Sequence, residues 1–239
     1  MEDRRKSLRD GHSALYRAVE PCDALRLHVE SIWIQEAPAD PGGDGRATLI
    51  LPTGAPEIVL FYGDPFVRLY DGRQEPEPAL SFGGQRTGPI RVAATGRTGI
   101  AIVRFHPWGA AALLRQPAAT LNDRSVALAE LLGHEARALE QRLLGDARHW
   151  RERVRLLERF LLERLTDRPP DRLTMQSVVA IQRRRGIVAV EALANAAGVS
   201  RRHLARRFGA AVGLSPKRYA ALVRFQRSAG YLRSGACWS

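Results

Sequence analysis

The stretch Val190–Tyr219, VEALANAAGVSRRHLARRFGAAVGLSPKRY, constrains this chain more than any other. It reads as a helix, a tight turn, a second helix and the start of a third. Ala194 is small where two helices must cross closely. Gly198 stands where a helix ends in a left-handed residue, a conformation glycine adopts without strain. Ser200 then caps the next helix with its hydroxyl. Val199, Leu204 and Phe208 share the buried face of that helix, while Arg201, Arg202, Ala205 and Arg206 share the other. Gly213 stops it, Ser215 caps a third helix, and Pro216 occupies that helix's first turn. A short helix with an arginine face, held on an apolar seam at a glycine turn, suits a helix-turn-helix that enters a DNA major groove. The same spacing also serves an ordinary helical hairpin with a solvated basic face.

The charge distribution separates these two readings. The formal net charge of the 239 residues is +12. From Asp171 to Ser239 there are 13 Lys and Arg against 2 acidic residues, whereas the first 170 residues are nearly balanced, with 24 basic and 23 acidic. The basicity is therefore local to the helix-turn-helix end, as an electrostatic footprint for phosphates would be.

The full pattern A-x3-GVS-x3-L-x3-F-x4-G-x-SP-x2-Y closely resembles the first half of the DNA-binding domain of the AraC/XylS family of bacterial transcription regulators. The residues that carry the resemblance are Ala194, Gly198, Val199, Ser200, His203, Leu204, Arg206, Phe208, Gly213, Ser215, Pro216, Tyr219 and Arg224. The resemblance implies base-edge contacts from Arg202, Ala205 and Arg206. Ala205 suits a thymine methyl, and each arginine can fork onto guanine O6 and N7. Arg201 and Arg207 flank this face and reach phosphates, His203 is packed or phosphate-bound, and the capping Ser200 is a further candidate for DNA contact. Position 207 is usually apolar in the pattern, so Arg207 is expected to lay its stem on the core and its head on the duplex backbone. Lys217 and Arg218 adjoin the free N–H groups that open the third helix, where a phosphate can dock. The family domain has two helix-turn-helix units joined by a long helix. Here that helix runs from about Pro216 towards Leu232 and the sequence ends at Ser239, so either the domain is truncated, with one recognition helix and reduced sequence selectivity expected, or the resemblance holds only for the first unit.

Ahead of this region the pattern changes. Residues 1–20 read as a polar lead-in, and Pro38–Gly45 as a loop. Strands are predicted around Ile32–Ile34 and over Thr48–Pro52, Glu57–Tyr62, Phe66–Asp71, Ala79–Phe82, Ile90–Ala94 and Ile100–Phe105. Gly and Pro turn signals separate them, which suits a small antiparallel barrel or sandwich. Helices are predicted over Trp108–Leu114, over Ser125–Leu132 behind a cap at Asn122 or Asp123, over His134–Leu144 and over Arg148–Leu165. In the last, Val154, Leu157, Leu161 and Leu165 share a face that serves as domain core or as a dimer seam. Thr166–Asp171 is rich in breakers and marks a boundary; Leu173–Arg184 is the next helix. The segments LPTG-x2-EIVLFY and VRFHPWGAAALL-x2-P-x3-L-x-D-R resemble, more loosely, the end of the N-terminal domain of AraC-type regulators. The expected fold is thus α+β: an N-terminal antiparallel β barrel-like domain with helices, residues 1–167, followed by an all-α helix-turn-helix domain, residues 172–239.

Chemistry-bearing motifs are sparse. Cys22 and Cys237 form neither a disulfide framework nor a zinc spacing. His106, beside Pro107 and Trp108, lacks ligand-spaced partners, since His12, His28 and Glu57 fall at no such spacing, and reads as structural. The chain has no GxSxG, HExxH, CxxC, Walker or dinucleotide motif, so neither catalytic residues nor a metal or cofactor are expected. Phe61, Tyr62, Phe66, Tyr70, Phe82 and Phe105 fill a core or line an apolar pocket. There is neither a secretory signal nor an apolar run near the ~18 residues that span a membrane, so a cytoplasmic protein is expected. The reading is a non-enzymatic regulator with double-stranded DNA, an unidentified small-molecule effector and a second copy of itself as partners. The rival is a cupin-like binding or catalytic protein with a helical assembly tail.

Overall fold

The computed structural model describes residues 14–39, 47–114, 116–165, 167 and 169–234, without side chains for the last four. The lead-in to residue 13, most of the Pro38–Gly45 loop, Cys237 and the residues after Ser234 lie outside the described residues. An N-terminal antiparallel, sheet-rich region is followed by a helical one, the α+β order that the sequence implies.

Ten strands are described: β1 (Leu15–Val19), β2 (Val29–Ala37), β3 (Thr48–Ile50), β4 (Glu57–Phe61), β5 (Phe66–Tyr70), β6 (Arg73–Pro76), β7 (Leu80–Gly83), β8 (Ile90–Ala94), β9 (Thr98–Phe105) and β10 (Ser125–Ala127). They form a six-stranded sheet, β1-β2-β9-β4-β7-β10, and a four-stranded one, β3-β8-β5-β6. β-Branched and aromatic residues at alternate positions put one face of the larger sheet into the core. Register aligns Ile32, Val103, Ile58, Phe82 and Val126 in one row across five strands, and Ile34, Ala101, Leu60 and Leu80 in the next. All nine are buried. The other face meets the smaller sheet, where Phe61 stacks on Phe66 with centroids 4.6 Å apart.

Helices α1 (Leu128–Leu132), α2 (His134–Gln141) and α3 (Trp150–Leu165) cover the apolar rows. Val154, Leu157, Leu161 and Leu165 of α3, with Leu139 and Leu143, are buried in the same cluster as the sheet residues, so the stripe is core. Each such side chain contributes about 1.5–3 kcal/mol relative to exposure.

Several elements differ from expectation. Leu15–Val19, assigned to the lead-in, is an edge strand. Among the described residues it pairs on one edge, with β2, and its side chains are largely exposed, so no apolar alternation marks it. Ser125–Ala127 is strand rather than helix, because pairing with β7 sets Val126 opposite Phe82. Neither Asn122 nor Asp123 caps the helix that follows; Asp123 accepts from Thr87 N and Oγ1 at 2.6 Å each, and Asn122 faces the helical region. Trp108–Leu114 is only a 3-10 turn over Gly109–Ala112, and the helix from His134 ends at Gln141 in a wider π-type turn. β6 was not anticipated, although the Asp71-Gly72 pair before it, both at positive φ, is a hairpin signal.

The helical region holds α4 (Arg172–Arg183), α5 (Val190–Ala196), α6 (Arg201–Val212) and α7 (Pro216–Ser234). Its core contains Val178, Ile181, Leu193, Ala194, Leu204, Phe208, Val212, Tyr219 and, from the sheet-rich region, Trp108. Among the described residues, two further bonds link the regions. Asn122 Nδ2 donates to Gly213 O at 2.7 Å, and Gln226 Nε2 donates to Pro52 O at 3.2 Å.

Gly198 and Gly213 both have left-handed backbone, at φ +66° and +85°, but only Gly213 is crowded. A Cβ there would stand 2.6 Å from Asn122 Oδ1 and 3.3 Å from the Ala118 backbone, whereas Gly198 has open space. Gly198→Ala is therefore expected to cost about 1 kcal/mol of backbone strain, and Gly213→Ala the same strain plus displacement of the junction, about 1–3 kcal/mol in all. Urea unfolding of the two variants checks this; equal effects would mean that the contact at Gly213 yields freely.

Candidate nucleic-acid interface

The turn between α5 and α6 is built from the backbone outward. Val199 N donates to Ala194 O at 3.0 Å, and Gly198 N to Asn195 O at 3.0 Å. These are the two bonds of a Schellman motif, which satisfies the last carbonyls of α5 and turns the chain sharply. Ser200 Oγ then accepts from His203 N at 3.2 Å and caps α6. Leu204, Phe208 and Val212 anchor α6 in the core, and Phe208 packs on Tyr219 with ring centroids 5.8 Å apart. Tyr219 accepts a bond from Gln182 Nε2 at 3.0 Å; burial pushes its phenol pKa up.

With that seam buried, the opposite face of α6 is presented to solvent. Arg201, Arg202, Ala205, Arg206 and Arg207 are all exposed, and His203 is half-buried. Arg201, Arg202 and Ala205 line a groove closed on its far side by the first turn of α7, Ser215 to Lys217. Ser215 Oγ accepts from Arg218 N at 3.3 Å, so α7 begins with a side-chain cap, and Lys217 and Arg218 are exposed beside it. The fold thus brings Arg201, Arg202, Ala205, Ser215 and Lys217 to one groove, with Arg206 on the same exposed face of α6.

The arginines differ in how they are held. Arg201 pairs with Glu191 at 2.6 Å, both side chains more than half exposed. Such a pair is worth little, about 0–1 kcal/mol, and leaves the guanidinium available. Arg207, which the sequence assigned to the duplex backbone, is engaged by Asp171 at the start of α4. Packing of α6 on α4 brings that carboxylate within reach.

The sequence reading treated Asp171 only as linker, yet it is the N-cap of α4. Its Oδ2 accepts from Thr174 N at 3.1 Å and Thr174 Oγ1 at 2.6 Å. The D-x-x-T spacing before an apolar-periodic segment was the available signal. Arg183, Arg184 and Arg185, exposed at the end of α4, extend the basic surface and were legible as a run. In the front region His106 has a structural setting: Nε2 lies 3.2 Å from Arg26 O and the ring stacks on Trp108 at 4.8 Å. Among the described residues, no group of three His, Cys, Asp or Glu is placed to hold a metal ion, and no helix is long and apolar enough to cross a membrane.

Residues 17–127 match a family described as a domain of unknown function, DUF6597. No curated protein matches the sequence. Among solved structures, the chain is similar to an HTH_3 family transcriptional regulator from Vibrio cholerae, with 13% identity over 39% of this chain and 51% of that one, at a TM-score of 0.29. The chain thus spans about half the length of that protein. It is also similar to the AraC-like transcriptional activator CuxR, with 17% identity over 92% of this chain and 82% of that one, at a TM-score of 0.37.

Asp171 gives the interface a pH dependence. Burial alone would raise its pKa, but the bonds from Thr174 and Arg207 outweigh burial and hold it below the ordinary aspartate value. Its contribution to stability is therefore present above the unfolded-state value of about 3.9 and lost as pH falls through the lower folded-state value. Asp171→Asn is expected to lower stability at pH 7 and to flatten the stability profile below about pH 4. Melting curves from pH 7 to pH 3 test this; parallel profiles for the two proteins would show that the carboxylate carries no such linkage.

Proposed function

We propose that this chain is a DNA-binding transcription regulator of AraC type, in which α6 reads the major groove and the sheet-rich region senses a small molecule, pairs two chains, or both. The observation that carries this reading is the construction of α6. Its apolar seam is buried, its N-terminus is capped at a Schellman turn, and Arg202, Ala205 and Arg206 face outward with no internal ion pair among the described residues. Rigid support beneath and unengaged guanidinium groups above are what bidentate recognition of guanine requires. The net positive charge of the same region supports it, because phosphates are drawn to it before any base is read.

Roles divide by position. Arg202 and Arg206 read base edges, and Ala205 offers a methyl contact. Arg201, Lys217 and Arg218 set phosphate register, Arg201 by exchanging Glu191 for a phosphate. Ser200 and His203 hold the start of the helix against the backbone. Arg207 acts through Asp171 to fix α6 on α4 rather than by touching the duplex.

Arg206→Ala is expected to cost about 1–3 kcal/mol on the preferred site and to relax preference at one base pair. Arg201→Ala is expected to weaken all sequences alike and to reduce the salt slope by about one unit. Fluorescence anisotropy on specific and scrambled duplexes across salt concentrations reads both, and unchanged preference in Arg206→Ala would remove the base-reading role.

We also place the domain boundary at Thr166–Asp171. A fragment ending at Asp167 is expected to melt cooperatively, but below the full chain, because it uncovers Trp108. An aggregated or non-cooperative fragment would reject the boundary.

A further inference from the structure

The apolar rows of the larger sheet stop abruptly. Two residues beyond Ile34, Ala101 and Leu60, the positions on the same face are Glu36, Gly99 and Tyr62. There a cavity of about 400 Å³ opens between the end of the sheet and the first turn of α3. Glu36, Tyr62, Arg97, Arg148 and Arg153 supply its polar lining, and Leu15 adds an apolar edge.

Arg153 is the unusual member. It is 8% exposed, yet its Nε has no hydrogen-bond partner. Its guanidinium lies over the Tyr62 ring at 4.2 Å. The Tyr62 hydroxyl donates to Glu36 Oε1 at 2.9 Å, so part of that carboxylate is already engaged. Arg97 and Arg148 are exposed at the mouth. Among the described residues, three guanidinium groups thus line the cavity with one carboxylate. A buried guanidinium with an unmet donor is costly, and a planar oxyanion that accepts in a fork is the group that relieves it. The Tyr62 ring and Leu15 offer apolar surface to the body of that anion.

We propose that this cavity binds a small molecule through a carboxylate or phosphate group, seated on Arg153, with Arg97 and Arg148 drawing it in. This rests on the ligand-sensing part of the function proposed above and is independent of DNA recognition. The cavity lies at the end of the sheet beside α3, and the basic face of α6 contributes no residue to it.

The test uses the full chain and four probes of similar size at constant ionic strength: benzoate, phenyl phosphate, benzamide and benzylamine. Calorimetric titration and melting temperature are read for each. One or both anions are expected to bind saturably at one site and raise the melting temperature, while the neutral and cationic probes do neither. The tighter anion names the source, carboxylate or phosphate. Arg153→Lys, which keeps charge but loses the fork, is expected to weaken the anion at least about tenfold. Glu36→Gln, which removes the competing carboxylate, is expected to tighten it by about threefold. The second variant stands on its own if the first fails to fold. Anions that behave like benzamide, or that bind identically to wild type and both variants, would overturn the proposal. Duplex binding measured on the same preparations tells its failure apart from failure of the DNA reading.

Discussion

The relative placement of sheet and helices depends on the burial of one indole. Trp108 leaves the end of β9 on a turn in which His106 N donates to His28 O at 2.8 Å and Gly109 N to His106 O at 2.7 Å. Its Nε1 donates to Leu27 O at 2.9 Å, which satisfies the polar edge of the ring and fixes its direction. The rest of the ring enters the core of the helical region beside Val178, Ile181 and Phe208. A side chain that belongs to the front of the chain thereby becomes part of the core behind α6. The bonds from Asn122 to Gly213 and from Gln226 to Pro52 close the same junction from either side.

This arrangement matters because α6 and α7 are held from beneath. The C-terminal end of α6 is fixed at Gly213 against Asn122, and α7 is fixed at Gln226 against the sheet-rich region. The exposed N-terminal half of α6 is left to present its side chains. A helix anchored at its far end and capped at its near end fixes the backbone positions from which its arginines extend, so that engaging them orders side chains but not the helix. The arginines along α6 are accordingly not equivalent. Arg207 is held inward by Asp171, Arg201 is lightly held by Glu191, and Arg202 and Arg206 face solvent.

The front region has a different polarity. Its two apolar rows are buried throughout, but the next row ends in Glu36 and Tyr62, with Arg153 packed on the Tyr62 ring. An apolar core needs no such group, and Val154 beside it and Leu157 one turn on fill their places with hydrocarbon. The guanidinium is therefore a departure from the packing logic of the rest of the layer, and departures of that kind mark places where a fold serves something other than its own stability.

How much of this was legible in the sequence follows from the range of the forces involved. The helix-turn-helix is local: Gly198, Ser200, Gly213 and Ser215 act through backbone geometry and caps within a few residues, and Leu204 and Phe208 follow the helical period. Their positions could be read directly. The central strands were legible for the same reason, since alternation records a buried face. The edge strands Leu15–Val19 and Arg73–Pro76 left no alternation because neither of their faces is fully buried, and Ser125–Ala127 is strand only because β7 lies beside it. The partner of Arg207, the role of Asn122 and the cavity at Arg153 join residues 36, 91 and more than 100 positions apart. The sequence by itself determined the turn, the caps and the arginine face of α6. Only the tertiary structure decided which of those arginines are engaged internally and where a buried guanidinium keeps one N–H without a hydrogen-bond partner, because burial and ion pairing depend on which distant segments pack together, and no local pattern encodes that.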